Sequence, residues 1–193
     1  MVFIMRDYRN SKALLFCCFI AMLSVGQICY AGGKFVKIEQ AQLDLVGDKA
    51  LLDVKLTFQL SPSAEEALHS GIALYWDVAI ILKQKLWRGL WYKTLFARTY
   101  RYSLSYYTLL NNYRVQDEYK KSFRRFSTLH EALVFMQHIR TEGMVLDGYD
   151  RNQCIISVLN ISFDKEMLPA PLRPVAYFDK QWDLSSKERL WCE

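Results

Sequence analysis

The stretch from Leu51 to Leu60, LLDVKLTFQL, constrains this chain most. Leu52, Val54, Leu56, Phe58 and Leu60 alternate with Asp53, Lys55, Thr57 and Gln59. Side chains of a strand point to opposite faces with a period of two, so this pattern reads as a strand with one face in a core and one in water. The preceding VKIEQAQLDL reads as its hairpin partner across the quartet Val46-Gly47-Asp48-Lys49. A second alternation follows in IALYWDVAIILK. It sets Ile72, Leu74, Trp76, Val78, Ile80 and Leu82 against a face that is itself largely apolar, which predicts a central strand covered on both sides.

Beyond these, a turn around Gly89 leads into a long strand. Phe96, Tyr100, Tyr102, Leu104 and Tyr106 share a face interrupted by Arg98, and Ala97, Thr99, Arg101, Ser103 and Ser105 form the face that meets water. Asn111-Asn112 tolerates left-handed turn geometry, and YRVQDEYKKSFRRF returns as one polar strand, an edge strand guarded by lysines and arginines. CIISVLNISFDK is the last clear strand, after a loop, TEGMVLDGYDRNQ. Two helices punctuate the series. One is capped by Ser61 with Pro62 at its first position and Gly71 at its end; the other opens on a Thr128/Glu131 capping box and carries a stripe through Leu129, Ala132, Leu133 and Met136 to Ile139 or Arg140. The fold class is therefore mainly β, an antiparallel β-sandwich or curved sheet with two short α-helices, with α+β as the alternative.

The N-terminus does not belong to that domain. Arg6, Arg9 and Lys12 precede the apolar run ALLFCCFIAMLSV and then GQICYA, the layout of a secretory signal peptide over residues 1–31, with cleavage after Ala31. The alternative is an uncleaved inner-membrane anchor at residues 13–31, which would be the chain's one membrane contact. The residues before Cys29 fail the lipobox pattern. Residues 32–193 are left as a single β-rich domain of periplasmic location, about 162 residues long and large enough for an independent core. Of the formal charge of +5, a net two belong to the leader, and the remaining excess is too small to argue for nucleic acid.

Three of the five cysteines leave with the leader, so Cys154 and Cys192 remain. The default is a buried Cys154 in a strand and a free, exposed Cys192; the alternative is a disulfide, which an oxidising compartment permits. His69, His130 and His138 all fall on the expected helices, and the eight-residue spacing of the last two is wrong for a shared metal. No phosphate loop, nucleophile elbow or Ser-x-x-Lys pattern is present, so no catalytic residue, metal or cofactor is expected. Aromatic and basic residues do mingle from Trp87 to Tyr119. Trp87, Trp91, Arg98, Tyr100, Arg101, Tyr102 and Tyr106, with Arg173, are the candidate interaction surface, although period-two aromatics more often serve sheet packing. KKSFRRF reads first as a solvated edge face and second as an attractor of anionic lipid.

Near the end, LPAPLRP holds three of the four prolines. Each removes a backbone donor and pushes its predecessor extended, which argues against a central strand or a helix. The expectation is a stiff, extended crossing over residues 168–174, with Leu168 and Leu172 pressing on the body and Val175 to Trp182 re-entering as a strand. It serves as a rigid connector rather than a free docking peptide.

LSPSAEEALHSGIALYWDV, YRYSLSYYTLLNNYRV, FSTLHEAL and LPAPLRPVAYFDKQWDLSS together resemble the DUF4390 family, secreted proteobacterial proteins sometimes called proline-rich signal peptide proteins. The resemblance runs from about Lys34 to Ser186. It implies a cell-envelope setting and a link to two-component sensing, and it implies no reaction. The expected role is a non-catalytic protein-interaction or accessory module with an envelope protein as partner; the alternative is a carrier of a small apolar ligand held between sheet layers.

Overall fold

Two antiparallel sheets face each other across one hydrophobic cluster. The computed structural model describes residues 35–86, 91–141, 143–146, 148–150 and 153–192, so the signal peptide, Trp87 and the turn at Gly89 lie outside the described residues. All described elements belong to one compact unit.

The smaller sheet is built on the first hairpin, β1 (Val36–Val46) and β2 (Lys49–Phe58), joined through Gly47 at φ 65°. Only glycine takes that left-handed conformation at no steric cost, which fits it to a two-residue hairpin connection. The alternation works as expected, because Leu52, Val54, Leu56 and Phe58 are buried. On the far side of β2 lie two short pieces, β7 (His138–Arg140) and β8 (Met144–Val145), the second inside the stretch expected to be loop.

The larger sheet has six strands in the order β10 (Arg189–Cys192), β9 (Ile155–Phe163), β3 (Leu74–Leu86), β4 (Trp91–Tyr107), β5 (Asn112–Asp117) and β6 (Ser122–Phe126). Strand β3 is central in the ladder, and Leu74, Trp76, Val78, Ile80 and Leu82 are buried against the smaller sheet. Its other face is only half-buried, which corrects the expectation of cover on both sides: the helices gather elsewhere and leave that face open to solvent. A bulge in β4 opposite Leu82/Lys83 lets Leu95 as well as Phe96 pack inward. The polar run after Asn111 is two strands, β5 and β6, not one. Asn111 itself sits at φ 46°, as its type allows.

Helix α1 (Pro62–His69) is capped by the Ser61 hydroxyl, which accepts from the Ala64 N–H. Helix α2 (Leu129–Met136) carries the complete capping box of Thr128 and Glu131. It ends at Met136, so His138 stands on β7 and not on the helix. The C-terminal region departs most from expectation. Residues 168–171 turn, α3 (Leu172–Phe178) is a helix, and a 3-10 turn follows at Lys180–Trp182; no extended crossing spans 168–174, and no strand follows before β10. Pro174 is the third residue of α3, where an N–H would have no acceptor within the helix, so the missing donor costs nothing there. Lys165 Nζ donates to the Ala176 carbonyl at 2.6 Å and Arg173 Nε to the Leu168 carbonyl at 2.7 Å, which fastens the turn at both ends. Leu168 is buried and Leu172 partly so, as expected.

β10 lies beyond every strand expected from the sequence. Its pairing with β9 brings Cys192 opposite Ile156, and Cys154 and Cys192 form a disulfide with their Cα atoms 5.9 Å apart, within the ordinary range for the bond. The default of a free Cys192 is thus corrected. Proximity made by β10, a strand absent from the expected elements, is the reason.

Candidate functional site

The sheets differ in width, and that mismatch makes the site. At one edge they are drawn together, where Arg189 of β10 donates to the carbonyls of Ile38 and Glu39 on β1 at 3.3 and 2.9 Å. At the other edge β5 and β6 extend past the smaller sheet, and α2 crosses beneath them on the way to β7. Between these layers lies a cavity of about 620 Å³. That is within the range of sites for small organic ligands.

Its floor is apolar, made by Leu56 and Phe58 of β2, Trp76 and Val78 of β3, Val115 of β5 and Ile161 of β9. Trp76 is held rigidly, with its Nε1–H donated to the Leu184 carbonyl at 3.1 Å and its ring against Phe58 (centroids 5.0 Å apart, edge-on) and Phe163 (5.3 Å). The mouth is different. There Lys120, Arg124, His138 and Arg140 stand with Asp117, beside the rings of Phe123 and Phe135. The Arg124 guanidinium lies 5.0 Å from the Phe135 ring centre, and Arg140 Nε donates to Asp53 at 2.7 Å. Asp117 accepts from the backbone N–H groups of Tyr119 and Lys120, both at 3.0 Å, so part of its charge is spent on the β5–β6 turn.

A second cavity of about 130 Å³ adjoins the first and shares Tyr102, Lys120 and Arg140 with it. Arg98, Tyr100 and Tyr119 add to its wall; Arg98 Nη1 donates to the Tyr119 hydroxyl at 2.8 Å, and the rings of Tyr100 and Tyr119 meet edge-on. Burial pushes the Tyr102 phenol well above its ordinary range, with Asp117 and Tyr100 adding to the shift, so Tyr102 stays neutral.

The residues singled out from the sequence do not form one surface. Trp91 and Tyr106 are at opposite ends of β4, roughly 50 Å apart at the rise of an extended strand. Arg98, Tyr100 and Tyr102 wall the cavities. Arg101, of opposite parity, faces outward and bridges Asp77 (2.7 and 2.8 Å) and Asp164 (2.9 Å), with the Asp77 hydrogen bonds holding its guanidinium charged. Tyr106 packs with His69 and Tyr113 near the β4–β5 turn and donates to Asn111. Arg173 belongs to α3. Trp87 lies outside the described residues.

Sequence reasoning missed Lys120, Arg124, His138 and Arg140 as a group. They come from a turn, an edge strand and β7, and only the crossing of α2 joins them; KKSFRRF was the one visible signal. Among the described residues no cluster of three or more His, Cys, Asp or Glu could hold a metal ion. No described helix is long and apolar enough to cross a membrane.

Residues 34–191 match the family model described as a domain of unknown function, DUF4390. No curated protein and no solved structure matches the chain.

Proposed function

The chain belongs to the DUF4390 family, and on the geometry above we propose that it is a non-catalytic binding protein of the cell envelope whose inter-sheet cavity takes up a small, largely apolar ligand. One observation carries this reading. Between the two sheets about 620 Å³ stays open over an apolar floor, with charged residues among the lining at its mouth. Apolar surface left facing water is costly, and a ligand that covers the floor removes that cost. The separation of an apolar interior from a charged rim suits holding a molecule better than transforming it. Periplasmic location is part of the proposal, supported by the leader pattern of residues 1–31 and by the Cys154–Cys192 bond, which persists in oxidising compartments.

A second reading, an interaction module, draws on fully exposed Leu109 and nearly fully exposed Phe178. Such residues serve a partner better than water. The test that separates the two uses a neutral naphthylamine dye that fluoresces in apolar surroundings. Saturable enhancement that Val115→Trp abolishes supports the cavity. Enhancement that survives Val115→Trp but is lost with Leu109→Ser or Phe178→Ser places binding on the exposed residues and sinks the cavity reading.

A further inference from the structure

Leu109 and Leu110 stand at the tip of the β4–β5 hairpin, the first fully exposed and the second largely so. They belong to a single 3-10 turn, Thr108–Leu110, that buries none of its residues. We infer that this tip is a membrane contact, entering the surface of an anionic lipid bilayer leucines first and held there by Arg114 and Arg125. Neither leucine and neither arginine lines the cavities, so the contact stands apart from the ligand site proposed above.

The turn is built to project rather than to fold back. Asn111 closes it in the left-handed conformation, and its side chain accepts from the Tyr106 hydroxyl at 2.9 Å. Behind it the rings of Tyr106 and Tyr113 pack 4.9 Å apart, and the Tyr113 hydroxyl lies 2.7 Å from His69 Nε2, so the end of α1 braces the hairpin from its inner side. Tyr107 is partly exposed on the outer face. A ring with an apolar body and a polar tip suits the boundary between hydrocarbon and head groups.

The charge sits where the head groups would be. Arg114 and Arg125 are directly opposite each other on β5 and β6, on the outer face of the large sheet. Arg114 is level with Ser105, two residues behind the last pair of the hairpin, Tyr107 with Asn112, which sets it back about 7 Å from that pair. An apolar element enters the boundary of head groups and chains to about that depth. Both guanidinium groups lie over the Phe123 ring, 4.0 and 5.3 Å from its centre, and Arg114 Nη1 donates to the Tyr107 hydroxyl at 3.3 Å. Like charges directly opposite in a sheet repel. Among the described residues no carboxylate pairs with either arginine, and Arg114 Nε has no hydrogen-bond partner. Residues 102–116 contain no acid. Glu65 of α1 comes within electrostatic reach of Tyr113, and Glu131 of α2 accepts from the N–H groups of Ser127 and Thr128. A lipid phosphate between the two guanidinium groups would relieve their repulsion and gain charge-assisted hydrogen bonds. Two leucines on a convex turn also present a point rather than a patch. A stable protein interface buries about 800 Å² on each side in complementary shape, whereas a fluid bilayer takes in a point without it.

The experiment is sedimentation of the chain from Gly32 onward, which holds the whole compact unit, with vesicles of equimolar phosphatidylglycerol and phosphatidylcholine or of phosphatidylcholine alone. The expected result is binding to the anionic vesicles about tenfold tighter than to the neutral ones, weakening as salt is added. Leu109→Ser/Leu110→Ser should weaken binding to the anionic vesicles about tenfold. Arg125→Gln should weaken it about fivefold and leave binding to the neutral vesicles unchanged. These side chains are exposed, so unchanged melting temperatures show that the variants are folded. In Leu109→Trp the added emission should move to shorter wavelength with anionic vesicles and be quenched by brominated acyl chains. Equal binding to the two vesicles, no sedimentation with the anionic ones, or sedimentation that survives Leu109→Ser/Leu110→Ser overturns the membrane contact. So does an emission of Leu109→Trp that shifts with protein concentration in the absence of lipid, which assigns the tip to a second copy of the chain. Sedimentation abolished by inorganic phosphate at matched ionic strength, with no quenching by brominated chains, assigns the arginines to free phosphate and overturns it as well.

Discussion

The bond between Cys154 and Cys192 spans 38 residues that include β9, α3 and β10. Closing a loop of that length removes about 13 cal/mol/K of conformational entropy from the unfolded chain, which is about 3.9 kcal/mol at 25 °C. Replacing both cysteines by serine tests this with little disturbance of packing, because Cys192 is exposed and Cys154 only half-buried. The unfolding entropy of a fold of roughly 160 residues is about 0.33 kcal/mol/K, so the double variant should melt about 12 °C lower. Calorimetry of the native protein, the reduced protein and the double variant gives the answer, and the last two should agree. Hydrogen exchange should locate the rest of the effect at β10, whose four residues hold Trp191 against β9 and Arg189 against β1. A fall of less than about 3 °C would refute the reasoning. It would mean that β10 anchors the C-terminus without the bond, or that the unfolded chain already keeps these segments together.

Arg101→Met removes the cation between Asp77 and Asp164, and because the group is partly solvated the expected loss is about 2 kcal/mol in urea unfolding; no measurable loss would show that solvent had already screened the pair. Ser157→Ala should leave stability unchanged or raise it by up to about 1 kcal/mol, since the buried hydroxyl, like the Nε1–H of Trp191 on the opposing strand, has no hydrogen-bond partner among the described residues. A loss beyond about 1 kcal/mol would reveal a partner. The raised Tyr102 pKa makes stability depend on alkaline pH. The phenol ionises in the unfolded chain near its ordinary value of 10.0 but not in the folded one, so its contribution is complete below about pH 10 and is lost as pH rises above it. Tyr102→Phe should flatten the fall by up to about 1.4 kcal/mol per pH unit, and an unchanged slope would contradict the assignment.

What the amino-acid sequence determined by itself is local and periodic. The alternations at Leu52–Phe58 and Leu74–Leu82 selected the inward faces, because a one-residue slip would turn every one of those side chains to water. Ser61 with Pro62, Thr128 with Glu131, and the left-handed Asn111 fixed helix starts and a turn, each through a bond or a dihedral contained within a few residues. The mainly β character followed from these.

The tertiary structure decided what depends on position rather than type. Three prolines look like a barrier to a helix until the turn at 168–171 places Pro174 within the first turn of one, where its missing N–H is not wanted. Two cysteines far apart in the chain become neighbours only because β10 finds the open edge of β9. The cavity is further still from anything local. It exists because six strands are wider than the smaller sheet that faces them, and because α2 carries the chain from the wide sheet to the narrow one. That crossing puts Lys120, Arg124, His138 and Arg140 around Tyr102. Each of those residues, taken where it stands in the sequence, is an ordinary polar residue of a turn, an edge or a strand end. A period records which way a side chain faces, but the space left between two sheets is a difference of widths, and no short stretch of chain contains it.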